Sequence, residues 1–212
     1  MNKKIIGIFG GTFDPIHLGH LQIAEQLLKK LPFSQIRFLP NQIPAHRAEP
    51  HASLEHRIKM IELALKSNPQ FALDLTETER PGPSYMVDTL KILREHNPDN
   101  PKALILGSDA FTHFNTWHRY EEILDYTHLI IVNRPHLPQR KDEWLAKLLD
   151  ARLTADPQRL SEQASGLIYE CELTPIPISA TLIREKLAKG ESIEEAVPPA
   201  VYAYVLEHRI YK

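Results

Sequence analysis

Apolar strand-like segments alternating with amphipathic helical ones predict a doubly wound α/β fold, a parallel sheet with helices on both faces. Three observations carry this. Lys3–Gly10 is a dense apolar run ending in glycine, and a helical pattern starts a few residues later at His17. The same succession of apolar run and helix repeats down to Val132. After Arg134 the pattern loosens into a C-terminal helical extension from about residue 179. A single domain spanning 1–212 is expected, because this length suits one sizeable core.

In order, Ile5, Ile6, Ile8 and Phe9 mark the first strand, Lys3–Gly10. His17–Leu31 places Leu21, Ala24, Leu27, Leu28 and Leu31 at helical spacing, and Pro32 ends it. Ile36–Pro40 is a strand, Leu54–Leu65 a helix, Phe71–Leu75 a strand and Ser84–Leu93 a helix. Lys102–Leu106 is a strand, Trp117–Leu124 a helix and His128–Val132 a strand. Beyond these, Asp142–Leu153 reads as a helix and Leu167–Leu173 as a strand. Ser179–Lys189 is a helix closed by Gly190, and Pro198 and Pro199 open a last helix reaching His208. Parallel strands joined by helical crossovers make a Rossmann-like sheet. Ligands bind outside the carboxyl ends of such strands, where the strand order reverses. Gly10–His20 and Gly107–Asp109 are therefore expected to converge.

Composition narrows the chemistry. The formal charge is −2 and no basic block stands out, which argues against nucleic-acid binding. No apolar run is long enough for a membrane span, and the apolar start runs into glycines without a signal-peptide cleavage pattern. One cysteine, Cys171, cannot form an intrachain disulfide, so a cytoplasmic setting is expected. The eleven histidines show no zinc-ligand spacing, and no protein-held metal site is expected.

The most informative stretch is Gly10-Gly11-Thr12-Phe13-Asp14-Pro15-Ile16-His17-Leu18-Gly19-His20. Gly10 and Gly11 let backbone approach a ligand closely. The helix that follows turns unpaired N–H groups and its positive dipole end toward that space. His17 and His20, three apart, share a helix face, and Gly19 removes a side chain that would crowd a phosphate. The result is a phosphate cradle lined by imidazoles. GxGxxG and GxxxxGK[ST] are both absent, which disfavours a dehydrogenase or a P-loop NTPase. The alternative is a glycine turn whose histidines are merely exposed.

A second segment, Ile178-Ser179-Ala180-Thr181-Leu182-Ile183-Arg184, follows Pro175 and Pro177. Ser179 is a good N-cap, and the new helix end again offers N–H donors to an anion. Arg184 reaches that end if it folds back. Alone, the segment also fits a capped surface helix with Arg184 in solvent.

Together the two segments resemble the nucleotidyltransferase superfamily marked by HxGH and ISxTxxR, and within it the nicotinate-nucleotide adenylyltransferases. Class I aminoacyl-tRNA synthetases carry a related signature with a KMSKS-type loop. The nearest string here is Lys59-Met60-Ile61-Glu62. The resemblance implies adenylyl transfer from ATP to nicotinate mononucleotide, releasing pyrophosphate and giving nicotinate adenine dinucleotide. It implies His20, His17 and Arg184 as the catalytic groups. ATP would lie against Gly10, Gly11, Thr12, Phe13, His17, His20, Gly107, Asp109, Ile178, Ser179, Thr181 and Arg184. Asp109 would hold a ribose hydroxyl, though it also fits a helix cap. Nicotinate mononucleotide would meet Thr12, Arg47, Ser84, Tyr85, Met86, Trp117 and His118. Trp117 would stack on the cationic pyridine ring, and main chain around Tyr85 would hold the carboxylate. Mg²⁺ would come with ATP, bound to phosphate. The rivals are nicotinamide mononucleotide or pantetheine phosphate as acceptor, or a nucleotide sensor without turnover.

Overall fold

The computed structural model describes residues 3–42, 49–80, 82, 84–133 and 143–211. Six parallel strands form one sheet: β1 (Ile5–Gly11), β2 (Phe33–Pro40), β3 (Phe71–Leu73), β4 (Lys102–Gly107), β5 (His128–Asn133) and β6 (Ile168–Glu172). Their order is β3-β2-β1-β4-β5-β6, so the chain reverses its direction of travel between β1 and β4. The carboxyl ends of these two neighbours are where such sheets place ligands.

Both sheet faces are apolar, as parallel strands covered on each side require. Ile5, Ala103, Ile105, Ile130 and Val132 point into one core. Their neighbours Ile6, Ile8, Leu104, Leu106, Leu129 and Ile131 point into the other. Helices α1 (Leu18–Lys30) and α2 (Leu54–Leu65) bury Leu21, Ala24, Leu27, Met60 and Ile61 against the first face. Helices α3 (Met86–His96), α4 (Ser108–Thr112), α5 (Tyr120–Tyr126) and α6 (Glu143–Arg152) cover the second, through Val87, Leu90, Phe111, Ile123 and Leu145. The last helices, α7 (Ala180–Ala188) and α8 (Pro199–Glu207), return to the first face. There Ile183, Leu187, Val201 and Val205 join the same apolar cluster as α1 and α2.

Several boundaries differ from the sequence reading; β2, for one, begins at Phe33, three residues before the expected Ile36. β3 stops at Leu73 because the Asp74 carboxylate pairs with Arg37 at 3.1 Å and accepts from Thr76. Ser84 and Tyr85 precede α3 instead of opening it. Trp117–Leu124 is not one helix: a 3-10 turn spans Phe114–Thr116, and Arg119 has a left-handed backbone, φ 51°, before α5 begins. The Arg119 guanidinium bonds Glu122 and Asp88, which holds that turn.

At the amino end of β5, His128 is fully buried. Its Nδ1 accepts from Leu167 N–H at 3.0 Å, which leaves the ring proton on Nε2, facing the Gln163 carbonyl at 3.0 Å. Burial lowers its pKa to about 4, so it remains a neutral clamp on the segment before β6.

Candidate active site

The loop after β1 is built by the glycines and held by α3, by the residue after β2 and by α2. A side chain at Gly10 would meet Met86 Cε at 2.9 Å, so the start of α3 packs directly over the end of β1. Phe13 has φ 48°, an uncommon conformation for a bulky residue, and strain of this kind collects at functional sites. Asn41 follows β2 and donates to Thr12 Oγ1 at 3.1 Å. Arg57, buried on α2, donates to the Thr12 carbonyl at 2.8 Å.

His17 is the N-cap of α1, with extended backbone, not a residue of its first turn. The two imidazoles nevertheless stack, with ring centroids 3.7 Å apart and planes 27° apart. His20 Nδ1 lies 3.3 Å from the backbone N–H of His17 and accepts from it. An Nδ1 used as acceptor leaves the neutral ring's proton on Nε2. Phe9 and Phe13 approach His20 edge-on. Burial, with the neighbouring His17, holds the His20 pKa well below its ordinary value. The loop thus offers a neutral, preoriented N–H donor. Gly19 also has a packing role inside the protein. A Cβ there would strike His17 Nδ1 at 2.9 Å and lie 3.5 Å from Ile178 Cβ, so the glycine admits an imidazole and the second motif.

That second motif docks as its pattern implies. Ser179 caps α7, its Oγ accepting from Leu182 N–H at 3.2 Å. Arg184 folds back past Thr181, at 3.4 Å, and donates to the Asp14 carbonyl at 2.7 Å. Segments 170 residues apart therefore meet at one hydrogen bond. Glycine loop, both histidines, Ser179, Thr181 and Arg184 form one group.

The residues expected to meet the pyridine nucleotide form a second group that joins the first. Gln42 N–H donates to Ser84 Oγ at 3.1 Å, one residue beyond the Asn41 that holds Thr12. Tyr85 stacks on His118 with centroids 4.1 Å apart. Trp117, half-buried, packs against Phe114 beside it. Gly107 and Asp109 lie exposed at the carboxyl end of β4, next to β1. Arg47 lies outside the described residues.

Sequence reasoning missed several members. Asp14 is buried, and its carboxylate accepts from His51 N–H, Ala52 N–H and the Tyr211 hydroxyl at 2.8–3.0 Å. Glu77 lies buried, and burial pushes its pKa up to about 7 against a hydrogen bond to Ser84 and the charge of Arg80. Asp14 stood in the first motif as a plain loop residue. Arg57 and Glu77 carried no signal beyond being charged residues in or beside apolar stretches.

The family model described as cytidylyltransferase-like matches residues 8–186. The nicotinate-nucleotide adenylyltransferase of Salmonella typhimurium (strain LT2) is 42% identical over 216 residues, covering 99% of this chain and all of that one. The enzyme of the same name from Salmonella typhi is 41% identical over 216 residues, with the same coverage. Among solved structures, Plasmodium falciparum nicotinic acid mononucleotide adenylyltransferase complexed with NaAD superposes with a TM-score of 0.75 at 20% identity. That match covers 98% of this chain and 97% of the other, and it supports the fold. With both signatures joined in one site and full-length identity above 40%, the chain belongs to the nicotinate-nucleotide adenylyltransferases of the cytidylyltransferase-like family.

Proposed function

We propose that this chain transfers the adenylyl group of ATP to nicotinate mononucleotide in NAD biosynthesis, and that its 212 residues act as one domain in the cytoplasm. The observation that carries the reading is the Arg184–Asp14 contact, which closes the second signature onto the first. The 5′-phosphate of the mononucleotide attacks the α-phosphorus of ATP. A new P–O–P bond forms, the bond to the β-phosphate bridging oxygen breaks, and pyrophosphate leaves. The nucleophile is already an anion, so the site needs orientation and charge stabilisation more than a base.

In this reading His20 presents Nε2–H to the transferring phosphate, and Arg184 grips the phosphate tail as a planar fork. His17, Ser179 and Thr181 position the phosphates with Gly10–Phe13 and Ile178, while Gly107 and Asp109 meet the adenosine. Ser84, Tyr85, Met86, Trp117 and His118 take the pyridine nucleotide. Arg47 is assigned to its phosphate. ATP-dependent nucleotidyl transfer generally requires a divalent metal, and we assign Mg²⁺. The carboxylate in the loop, Asp14, is already engaged by protein donors on both oxygens, which suits an ion held by phosphate oxygens. When bound, the ion neutralises charge on those oxygens.

The test is pyrophosphate release with ATP and, separately, nicotinate mononucleotide, its amide and pantetheine phosphate. Turnover preferring the acid supports the assignment. Preference for either other acceptor, or binding without release, overturns it.

A further inference from the structure

We propose that Tyr211, at the far end of the chain, is a positioning residue for adenylyl transfer, fixing the Thr12–His17 loop and the Arg184 fork through Asp14. The inference rests on the site assigned above. Its basis is one buried carboxylate that ties four separated segments together. Asp14 Oδ1 accepts from the Tyr211 hydroxyl at 2.8 Å and from Ala52 N–H at 3.0 Å. Asp14 Oδ2 accepts from His51 N–H at 2.8 Å, with the His51 ring at 3.4 Å and Arg184 Nη1 at 3.9 Å. The same Arg184 nitrogen bonds the Asp14 carbonyl at 2.7 Å. Asp14 is 5% exposed, so each donor replaces water that the carboxylate would otherwise keep.

The tail is shaped for this contact. Ile210 is buried in the apolar cluster that holds α8. On either side of it Arg209 and Tyr211 adopt left-handed backbone, φ 50° and 70°. Such conformations are uncommon in non-glycine residues. Here the two turns bring the phenol back across 197 residues of sequence to Asp14. Burial and the adjacent Asp14 raise the phenol's pKa far above its usual range, so it stays a donor at every working pH. With the hydroxyl gone, Oδ1 keeps only the Ala52 bond and the carboxylate is free to turn toward Arg184. Arg184 would then leave the carbonyl bond that aims it at the loop. Misplacement of this order slows the chemical step more than it weakens acceptor binding.

The experiment compares Tyr211→Phe and Tyr211→Ala in the full chain, reading melting temperature together with kcat and KM for each substrate. Tyr211→Phe is expected to recover most of the stability lost in Tyr211→Ala, yet to keep a kcat roughly tenfold below wild type. The KM for nicotinate mononucleotide should stay within about twofold. In an Asp14→Asn background Tyr211→Phe should lower kcat no further. If Tyr211→Phe restores kcat along with stability, the hydroxyl does no positioning and the inference fails. If the two substitutions lower kcat independently, Asp14 is not the link, and the inference fails again. A wild type releasing no pyrophosphate overturns the assigned activity and this inference with it. An active wild type matched by Tyr211→Phe overturns this inference alone.

Discussion

Removing the Nε2–H of His20 is the sharpest test of the proposed chemistry. The His17 backbone N–H occupies His20 Nδ1 at 3.3 Å, so only Nε2 can donate to a substrate. The donor is fixed by its stack on His17 and by the Phe9 and Phe13 edges, and losing such a preorganised group typically costs about 10²–10³ in kcat, or ~3–4 kcal/mol. His20→Ala should show that loss with a smaller change in KM. The two amide replacements sharpen the result. The amide of glutamine reaches the place of Nε2, whereas that of asparagine reaches only the place of Nδ1. His20→Gln should therefore retain more kcat than His20→Asn. The pH dependence follows from burial, which lowers the pKa. In the free enzyme the imidazole stays neutral at and above its ordinary value, and protonation begins only at more acidic pH. The kcat/KM profile for ATP should carry no His20 inflection near pH 6.5. The assay is steady-state pyrophosphate release from pH 5 to 8. Near-normal kcat in His20→Ala, or His20→Asn equal to His20→Gln, would refute the argument.

Three further outcomes are expected. Arg184→Lys should lose at least tenfold in kcat/KM for ATP despite keeping its charge, because the fork that spans Thr181 and Asp14 is gone; a lysine enzyme equal to wild type in the same assay would rule out bidentate gripping. Trp117→Ala should weaken acid and amide substrates by a similar factor, leaving their kcat/KM ratio nearly unchanged, since stacking reads the shared ring; a lost preference would place discrimination on the indole. His128 has a folded pKa of about 4 against an ordinary 6.5, so the unfolded chain takes up its proton first and stability falls as pH drops across that window, by up to about 3 kcal/mol; the stability gap between wild type and His128→Gln in urea unfolding should shrink from pH 7 to pH 4, and a constant gap would contradict the burial argument.

The parts of this molecule legible in sequence are those governed by local chemistry. The α2 boundaries, Leu54–Leu65, were read from its apolar face, and the structure adds a Ser53 cap on His56 N–H. The opening of α7 follows from Ser179 and the prolines before it. The cradle after β1 was legible because a glycine turn, a strand and an HxGH helix stand next to one another. Trp117–Leu124 was misread because Phe114, Trp117, Ile123 and Leu124 fit helical spacing in more than one way. What breaks the helix is the left-handed backbone at Arg119, beside which its guanidinium pairs with Glu122 and Asp88, and periodicity does not register it. The packing of Gly19 against His17 and Ile178 was not read from sequence, because it depends on how the loop and the second motif fold together. Asp14, Arg57 and Tyr211 were invisible because each acquires its meaning from a partner far away in sequence. Glu77 was invisible because its burial, not its neighbours, sets it apart, and a buried charge looks in sequence like any surface charge.

The hydrogen bond between Arg184 and Asp14 has a consequence for the protein during its synthesis. The glycine loop is made 170 residues ahead of the arginine that docks on it. A ribosome still carrying an unfinished chain therefore displays the loop without Arg184, the cation proposed to grip phosphate there. Nascent and prematurely ended products should spend no ATP, and competence should arrive in a single late step as α7 docks. Stalled translation then yields inert fragments instead of leaky enzymes, and two co-expressed halves cut between β5 and α7 should regain turnover only by reassembling.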